Sequence, residues 1–316
     1  MTVAPYISWL GHGAADLATP GVFTDAKAHM FGFDADKAAM QTLVDALLNP
    51  AGAGVVRYAV LAPVALISFM DIARCTSGTD VVGWLPGREC ALWVPLLEFR
   101  HGQVLPNRIV LWSPYIFISY TIGMVTGRET WGWPKVLAEI SVASDDPGGT
   151  PQFGVKSTYF PTMAAETRGV TDTLIRVVRT RNSDRSPGVW TTGFEAVEGL
   201  VGHVLAAFAE ALVDDLHLHP RLPSVALKQF RNAPDPKQAC YQAVVDSPIA
   251  VTKFIDGGPL FDDFALEIVT CESHQIVRDF LGRAPEPGST TLPVKFAGWV
   301  TMDFQALAGE NIAIVT

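Results

Sequence analysis

Between residues 55 and 180 the chain is an almost unbroken series of β-strand patterns separated by turn signals. Runs rich in β-branched and aromatic residues predict strands at 55–60, 66–72, 92–99, 110–121, 137–143 and 173–180. Clusters of Gly, Pro, Ser and Asn lie between these runs and predict turns. Further strands are predicted at 224–230, 240–245, 265–269 and 312–315. So many strands in succession restrict the chain to a sheet-dominated α+β fold.

Helix patterns are few by comparison. Asp34 or Asp36 can cap the first helix, and a capping-box pattern beginning at Thr192 opens the longest one. The predicted helices cover 37–48, 192–217 and 275–281. These helices are expected on the flank of the sheet.

The domain organisation follows from the absence of linkers in the sequence. Residues 1–28 are rich in Gly, Ala and Pro without clear periodicity, which predicts a loop-like segment. No repeat and no Pro/Ser-rich tract interrupts the remainder. We therefore expect residues 1–29 to form an N-terminal extension packed on the body, and residues 30–316 to form a single domain.

The charge balance excludes several classes of partner. Lys and Arg total 23 against 32 Asp and Glu, a net charge of −9 with pI near 5.2. Because nucleic acids and anionic lipids are bound by clustered basic residues, we expect neither nucleic acid nor a membrane as partner. The apolar fraction of 49% leaves surface for buried subunit contacts, so we expect a homo-oligomer.

Two features bear on the cellular compartment. The four cysteines, at positions 75, 90, 240 and 271, are far apart and form no CxxC pair, which favours buried free thiols and a reducing cytoplasm. No Lys or Arg precedes Lys27, so the basic start of a signal peptide is not expected. Residues 109–127 carry no charge, but Pro114 and the β-branched residues favour buried strand over a membrane span.

The residue most informative for chemistry is Lys135, which directly follows Pro134 in a segment with Trp131 and Trp133. An apolar environment disfavours the ammonium form of a lysine. A lysine that is partly a free amine at neutral pH attacks carbonyl carbons and forms a Schiff base. The segment therefore predicts a nucleophilic amine, although a lysine after proline is more commonly a surface residue in a turn.

The same residues carry a family resemblance. The sequence Gly-Arg-Glu-Thr-Trp-Gly-Trp-Pro-Lys at 127–135 resembles the signature of the acetoacetate decarboxylase family. Weaker similarity occurs at 87–89 (Gly-Arg-Glu), 93–95 (Trp-Val-Pro), 227–230 (Leu-Lys-Gln-Phe) and 258–260 (Gly-Pro-Leu). The resemblance implies a predominantly antiparallel, closed or cone-like β-barrel with flanking helices, holding Lys135 inside it.

The resemblance also implies roles for particular residues. Lys135 would form the imine and Glu89 would assist proton transfer, with Glu98 as a rival for the second role. Arg128 and Glu129 are expected in a structural ion-pair role, and Arg128 alternatively binds a substrate carboxylate. Trp131 or Trp133, together with residues 55–69, would give the pocket a bulky apolar side.

The chain departs from the family pattern in two respects. Val136 stands where the family typically carries a second lysine, so desolvation alone would activate Lys135. The arginine that the family uses for the substrate carboxylate has no clear match; Lys27 and Arg57 are the nearest candidates. Asp71 or Arg74 falls near the expected place of a family glutamate.

The function implied is that of a carbon–carbon lyase that decarboxylates a β-keto acid or related small oxo acid through an imine on Lys135. Two alternatives stay open: an aldolase-dehydratase that uses the same lysine, and a non-catalytic module that binds an apolar carboxylate ligand. No nucleotide motif is present, and we expect no organic cofactor and no metal. A pair of histidines, His217 and His219, is better explained by a helix C-terminus than by a metal site.

Overall fold

Strands dominate the computed structural model of the chain, which describes residues 5–8, 11, 16–142, 152–183, 221–284 and 287–315. The helix predicted at 192–217 and the two histidines at its end lie outside the described residues. The strands are β1 (Gly21–Asp34), β2 (Val56–Val60), β3 (Val64–Ser77), β4 (Leu85–Arg100), β5 (Arg108–Ile118), β6 (Lys135–Ser141), β7 (Gln152–Tyr159), β8 (Val170–Arg181), β9 (Arg221–Leu222), β10 (Ser224–Arg231), β11 (Ala239–Asp246), β12 (Ile249–Leu260), β13 (Asp263–Val269), β14 (Ser289–Ala306) and β15 (Glu310–Val315).

Three helices are described: α1 (Lys37–Ala51), α2 (Thr121–Thr126) and α3 (Ile276–Leu281). The side chain of Asp36 caps α1, because its Oδ1 accepts hydrogen bonds from the backbone amides of Ala38 and Ala39. A single π-helical turn, Gly127–Trp131, continues α2 toward β6. None of the helices in the described part of the chain is both long and apolar enough to cross a membrane.

The sheet is mixed, with mostly antiparallel neighbours. Nine strands pair in the order β5-β6-β7-β8-β13-β14-β1-β3-β4, and β4 pairs with β5 again, so the hydrogen-bonded neighbours form a ring. Within the sheet, β5 lies parallel to β6 and to β10. The α+β class and the antiparallel majority are as predicted.

Alternation along the strands separates two apolar clusters. Phe31 and Phe69 belong to the large main core, which also receives α1 and α3. Residues that alternate with them along β1 and β3 point to the opposite face of the sheet and contribute to a smaller second cluster. The second cluster consists of Ala26, Ala28, Ile72, Cys75, Val300, Met302 and Phe304, with Phe23, Met70, Tyr120, Ile249, Val251 and Phe254 packed against it. This division matters because the functional residues lie on the face of the second cluster.

Several predicted elements differ from the structure. The loop-like reading of residues 1–28 is wrong from Gly21 onward, because β1 begins there, crosses position 29 and pairs with β3 and β14. Asp25 and two alanines in β1 obscure the strand pattern, since both residue types are depleted in strands. The strand predicted to reach residue 121 ends at Ile118, and β7, β12 and β14 have no counterpart among the predictions.

The cysteines are all free, as predicted. Cys75, Cys90 and Cys271 are buried, but Cys240 is exposed on β11, which corrects the expectation that all four are buried.

Candidate active site

The π turn and the residue that follows it determine where Lys135 enters the sheet. Gly132 adopts a left-handed conformation (φ 80°), and a Cβ atom there would lie 2.5 Å from the Cα of Lys228. Glycine is therefore required at this position for both conformation and space. The chain then enters β6, where Lys135 pairs with Ile116 in parallel register. The Gly-Trp-Pro-Lys segment thus connects the π turn to strand β6, which begins at the lysine.

The side chain of Lys135 passes over Gly127, the first residue of the π turn. A Cβ atom at Gly127 would lie 2.6 Å from the lysine Cδ, so only glycine leaves room for the aliphatic part of the side chain. The ammonium nitrogen ends 4.8 Å from the ring centroid of Trp133. The Lys135 side chain is only 5% exposed, which makes it one of the few buried charged side chains among the described residues.

Glu89 of β4 is the acidic partner of Lys135. The distance between Lys135 Nζ and Glu89 Oε2 is 2.6 Å, and the glutamate side chain is 20% exposed. Since Cys90 and Leu92 of the same strand belong to the main core, Glu89 points to the opposite face. The strand alternation places Lys135 there too, because the adjacent Val136 packs against the main core. The lysine therefore does not lie within the core that fills the ring of strands.

The two tryptophans of the motif are held by hydrogen bonds from their indole nitrogens. Their rings stack at 4.6 Å with an interplanar angle of 18°. The indole of Trp131 donates to the carbonyl of Leu307 (2.7 Å), and that of Trp133 donates to Ser247 Oγ (3.1 Å). Their polar edges are thereby occupied, and one face of each ring is covered by the other ring.

Arg128 and Glu129 lie in the π turn rather than on a strand. The guanidinium of Arg128 donates to the backbone carbonyl of Lys135 (3.2 Å), so it holds the start of β6. Lys228 of β10 donates to the carbonyl of Thr130 in the turn (3.3 Å). Burial lowers the pKa of Lys228, and the charge of Glu129 acts in the opposite direction. Arg128 therefore holds the backbone at the start of β6, and Glu129 places a negative charge near Lys228.

Lys135 lines a small pocket with a cavity volume of about 30 Å³. Its lining residues come from the N-terminal segment, β1, β3, β4, the segment 120–133 that contains α2 and the π turn, and the first residue of β6. They are Leu17, Ala18, Gly21, Phe23, Cys75, Thr76, Leu85, Tyr120, Ile122, Gly123, Thr126, Trp131, Trp133 and Lys135. The expected wall from residues 55–69 is wrong, because Ile67 and Phe69 belong to the main core.

Tyr120 and Cys75 are pocket residues that the sequence analysis did not identify. A Cβ atom at Gly87 or Gly123 would lie 2.2 or 2.4 Å from the Tyr120 ring, so these two glycines make the space that the ring occupies. Burial raises the pKa of Tyr120, and it raises the pKa of Cys75 to about 11 although a hydrogen bond from Tyr120 opposes the shift. Both groups are therefore protonated at neutral pH. An isolated Tyr or Cys has no sequence signal, since its position depends on strand pairing.

The other candidate site residues from the sequence analysis lie outside the pocket. Glu98 is fully buried on the core side of β4, where it pairs with Arg100 and Arg108. Lys27 lies over the ring of Trp299 and Arg57 over that of Phe99. None of these lines the pocket.

The two candidates for the family glutamate also have other contacts. Asp71 forms an ion pair with Arg88 (3.3 Å), on the face opposite Glu89. The guanidinium of Arg74 lies 5.4 Å from the ring centroid of Trp84. Across the part of the chain that the structure describes, no group of three or more His, Cys, Asp or Glu side chains could hold a metal ion.

Comparison with known proteins connects this geometry with a family. The model of the family "Acetoacetate decarboxylase (ADC)" matches residues 11–169, which is half of the chain and includes Glu89 and Lys135. No curated protein sequence matches significantly.

Solved structures share the fold at low sequence identity. Acetoacetate decarboxylase from Legionella pneumophila is 15% identical with a TM-score of 0.57, covering 95% of this chain and 88% of that one. The enduracididine biosynthesis enzyme MppR, complexed with the condensation product of pyruvate and imidazole 4-carboxaldehyde, is 14% identical with a TM-score of 0.55, covering 99% and 98%. An acetoacetate decarboxylase-like enzyme from Sphingomonas wittichii is 13% identical with a TM-score of 0.52, covering 94% and 93%. Since the family model spans the lysine motif and its acidic partner, the chain belongs to the acetoacetate decarboxylase family.

Proposed function

We propose that the protein is an imine-forming lyase that decarboxylates a β-keto acid or related small oxo acid through Lys135. The observation that carries this proposal is the 2.6 Å contact between Nζ of the buried Lys135, which lines the pocket, and Oε2 of Glu89, whose side chain is 20% exposed. A buried amine with a carboxylate in direct contact has both the nucleophile and the group that accepts and returns its proton.

The first chemical stage is formation of the imine. Glu89 takes a proton from the Lys135 ammonium group, and the free amine attacks the ketone carbon to give a carbinolamine. The protonated Glu89 then donates its proton to the departing hydroxyl, so that one water leaves and a cationic iminium remains. The low exposure of the lysine keeps bulk water away from the nitrogen at which the imine forms.

The second stage is loss of carbon dioxide. The bond between the carboxylate and the adjacent carbon breaks, and its electron pair moves toward the iminium nitrogen to form a neutral enamine. Protonation of the enamine carbon restores the iminium, and water hydrolyses it to the ketone and free Lys135. Trp133 lies 4.8 Å from Nζ, so its ring face is placed to stabilise the cationic iminium.

Borohydride trapping tests the proposal directly. The protein is incubated with acetoacetate or pyruvate, reduced with borohydride, and examined by intact mass and peptide mapping. We expect a reduced adduct on Lys135 that is lost in Lys135→Ala. The matched control is Lys156→Ala, because Lys156 also pairs with a glutamate (Glu139, 3.0 Å) but on the surface. Trapping that persists in Lys135→Ala, or that is lost equally in Lys156→Ala, would contradict the proposal.

An aldol or dehydration reaction through the same imine is the second candidate. It is supported by the shared fold of MppR, which was solved with a condensation product of pyruvate. Release of carbon dioxide from a β-keto acid distinguishes the two reactions, since only the lyase proposed first produces it. A non-catalytic binding module remains the third prediction, and a complete absence of imine across the carbonyl compounds would favour it.

We also propose how the functional unit is organised. Residues 30–316 would form a single domain in which the ring of strands acts as a closed or cone-like barrel, supported by the β4–β5 pairing that closes the ring. We further propose a homo-oligomer in the cytoplasm that binds a small oxo acid or ketone. The free cysteines support a reducing compartment.

A further inference from the structure

We infer that residues 16–20, here called the strap, close the pocket that Lys135 lines and move aside before a carbonyl compound reaches the lysine. The inference rests on the proposed function for the ligand that enters, whereas the opening of the strap is tested without it. It is carried by the size of the pocket and by the way in which each of its walls is held.

The pocket is too small for the proposed substrates while its walls stay where they are. Its cavity volume is about 30 Å³, which is room for about one or two water molecules. Even pyruvate is several times larger than a water molecule. Because the nitrogen of Lys135 bonds to the carbonyl carbon in the proposed reaction, the ligand has to enter this space. At least one wall therefore moves before the imine forms.

Three of the walls are built into the sheet. Phe23, Cys75 and Leu85 belong to β1, β3 and β4, and β3 is paired with both of the other strands. Phe23 lies opposite Cys75 in one ladder, and Leu85 lies opposite Cys75 in the other. Moving these strands apart would leave backbone hydrogen-bonding groups without partners. We therefore expect these walls to stay in place.

The walls from residues 120–133 are held by their side chains. The indole nitrogens of Trp131 and Trp133 donate to Leu307 and Ser247, and the two rings stack on each other. The ring of Tyr120 fills the space that two glycines leave. Each of these side chains is thus fixed to a different part of the protein.

The strap lies outside the helices and strands. Two of its residues, Leu17 and Ala18, line the pocket. The backbone amide of Leu17 donates to Thr126 Oγ1 of α2 (3.0 Å), and that of Ala18 donates to Asp80 Oδ2 (2.7 Å). The strap therefore bridges α2 and the turn between β3 and β4, and it is held there by side chains rather than by a strand ladder.

The end of β3 and the turn after it provide further contacts. The hydroxyl of Ser77 donates to the carbonyl of Ala18 (2.9 Å), and the backbone amide of Gly78 donates to the carbonyl of Pro20 (2.8 Å). The hydrogen bond between Ala18 and Asp80 is exposed to solvent, so water replaces the lost partner when the strap opens. Segments held in this way open at a lower free energy than paired strands do.

Opening of the strap has a measurable consequence at Cys75. This thiol lines the pocket and is only 4% exposed. Cys90 and Cys271 are also buried, but they belong to the main core, and Cys240 is exposed. Labelling of Cys75 without Cys90 and Cys271 therefore reports a local opening, whereas labelling of all three reports global unfolding.

Thiol labelling of the native chain is the test. The protein is treated with iodoacetamide, and the labelling of each cysteine is followed over time by peptide mapping. Asp80→Ala and Thr126→Val each remove one hydrogen-bond acceptor from the strap. We expect each variant to label Cys75 about fivefold faster than the wild type, the usual effect of one hydrogen bond on an opening equilibrium. Each thiol is compared only with itself, so its intrinsic reactivity does not enter.

Asp235→Ala is the matched control. Asp235 Oδ1 also accepts a hydrogen bond from a backbone amide, that of Lys237 (3.1 Å), but in the turn between β10 and β11 rather than at the strap. The labelling rate of Cys75 should be the same in this variant as in the wild type.

The labelling results decide whether the strap opens. Faster labelling of Cys75 in both strap variants, with Cys90 and Cys271 unchanged, supports the inference. It is overturned by an unchanged rate at Cys75 in either variant, or by an equal increase at all three buried cysteines.

Borohydride trapping with acetoacetate on the same variants decides whether the opening admits the ligand. When the open state is the minor one, the trapping rate is proportional to its population, so both strap variants should trap about fivefold faster. Adducts that form at an unchanged or lower rate overturn the inference while the imine chemistry stands. If no adduct forms on any of these proteins, the proposed function fails, and the thiol labelling alone decides the role of the strap.

Discussion

At the scale of single residues, the contact between Glu89 and Lys135 is the reason that Glu89 is proposed as the proton-transfer group. Its carboxylate oxygen Oε2 lies 2.6 Å from Lys135 Nζ, within direct hydrogen-bonding distance. Glu89→Gln keeps the size and removes the proton acceptor. We expect the rate of borohydride trapping to fall by about 100-fold or more, the usual contribution of a general acid–base group. The rate is measured by quenching the reduction at timed intervals.

A surface glutamate provides the control for that variant. Glu139 pairs with Lys156 and is 77% exposed, so Glu139→Gln should leave the trapping rate unchanged. An undiminished rate in Glu89→Gln would show that the lysine transfers its proton to another group.

Gly127 provides a second test at this scale, because it concerns space rather than charge. An alanine Cβ at Gly127 would lie 2.6 Å from Lys135 Cδ. We expect Gly127→Ala to displace the lysine, to reduce imine trapping strongly, and to cost about 1–3 kcal/mol in stability. Gly83→Ala is the matched control, since no atom lies within 4 Å of the added Cβ there. Trapping and urea unfolding are measured on both variants.

The sequence analysis named Lys135 and Glu89, which the structure brings into contact, and the pocket residues Trp131 and Trp133, but it missed other pocket residues. Lys135 and Glu89 could be identified because each belongs to a short motif that contains glycine, whose spatial role the structure explains. Phe23, Cys75 and Tyr120 could not, because an apolar or isolated residue has no local signal and its neighbours are determined by the register between strands. Arg128 was expected in an ion pair, whereas its contact with the Lys135 carbonyl depends on the π turn.

At the scale of elements, Glu98 links strands of the main core. It is fully buried, and it accepts hydrogen bonds from Arg100 and from the Tyr58 hydroxyl (3.2 Å). Arg108 bridges it to Asp246 at 3.1 and 2.6 Å. Through these contacts β2, β4, β5 and β11 share one buried charge network.

Replacing Glu98 with glutamine tests this network. We expect Glu98→Gln to lower the free energy of unfolding by about 1–3 kcal/mol, because the buried carboxylate that accepts hydrogen bonds from Arg100, Arg108 and Tyr58 is lost, although Arg108 keeps its ion pair with Asp246. Imine trapping under native conditions should persist, since the network lies on the core side of β4. The stability is measured by urea unfolding. A loss of trapping in a protein that is still folded would show instead that the network supports the site.

Some helices and strands were predicted from the sequence and others were missed, and the residues of each explain why. The helix at 37–48 and most strands between 55 and 118 have strong periodicity or β-branched content. Strand β1 contains Asp25 and several small residues, and β12 contains Gly257 and Gly258, all of which weaken a strand pattern. The segment at 121–131 is apolar and short, a pattern that does not distinguish strand from helix. The turn that positions Lys135 was therefore outside what sequence periodicity could predict.

At the scale of the whole molecule, β1 connects the two apolar clusters. It lies between β3 and β14, with Phe31 in the main core and Ala28 in the second cluster. The pairing of β4 with β5 that closes the ring joins neighbours in sequence, but the β14–β1 pairing joins residues almost a chain length apart. Such a pairing has no sequence signal in a single chain, and this is why the position of the pocket relative to the core could not be predicted.

The central position of β1 makes His29 a reporter of global stability. Its ring lies 4.8 Å from that of Phe153, and its Nδ1 is buried without a hydrogen-bond partner among the described residues. Burial, with a smaller contribution from Lys27, lowers the pKa of His29 to about 4. The folded state therefore disfavours the charged imidazolium.

The sign of the resulting pH dependence follows from proton binding. Between pH 6.5 and 4 the unfolded chain binds a proton at this histidine and the folded chain does not, so acidification favours unfolding. The contribution is fully present above pH 6.5 and is lost as the pH falls to about 4, amounting to about 3 kcal/mol. His29→Gln removes the titrating group, and we expect its unfolding free energy to fall less steeply over this range than that of the wild type. Urea unfolding at pH 7, 6, 5 and 4.5 measures both slopes, and parallel slopes would show that His29 titrates normally in the folded protein.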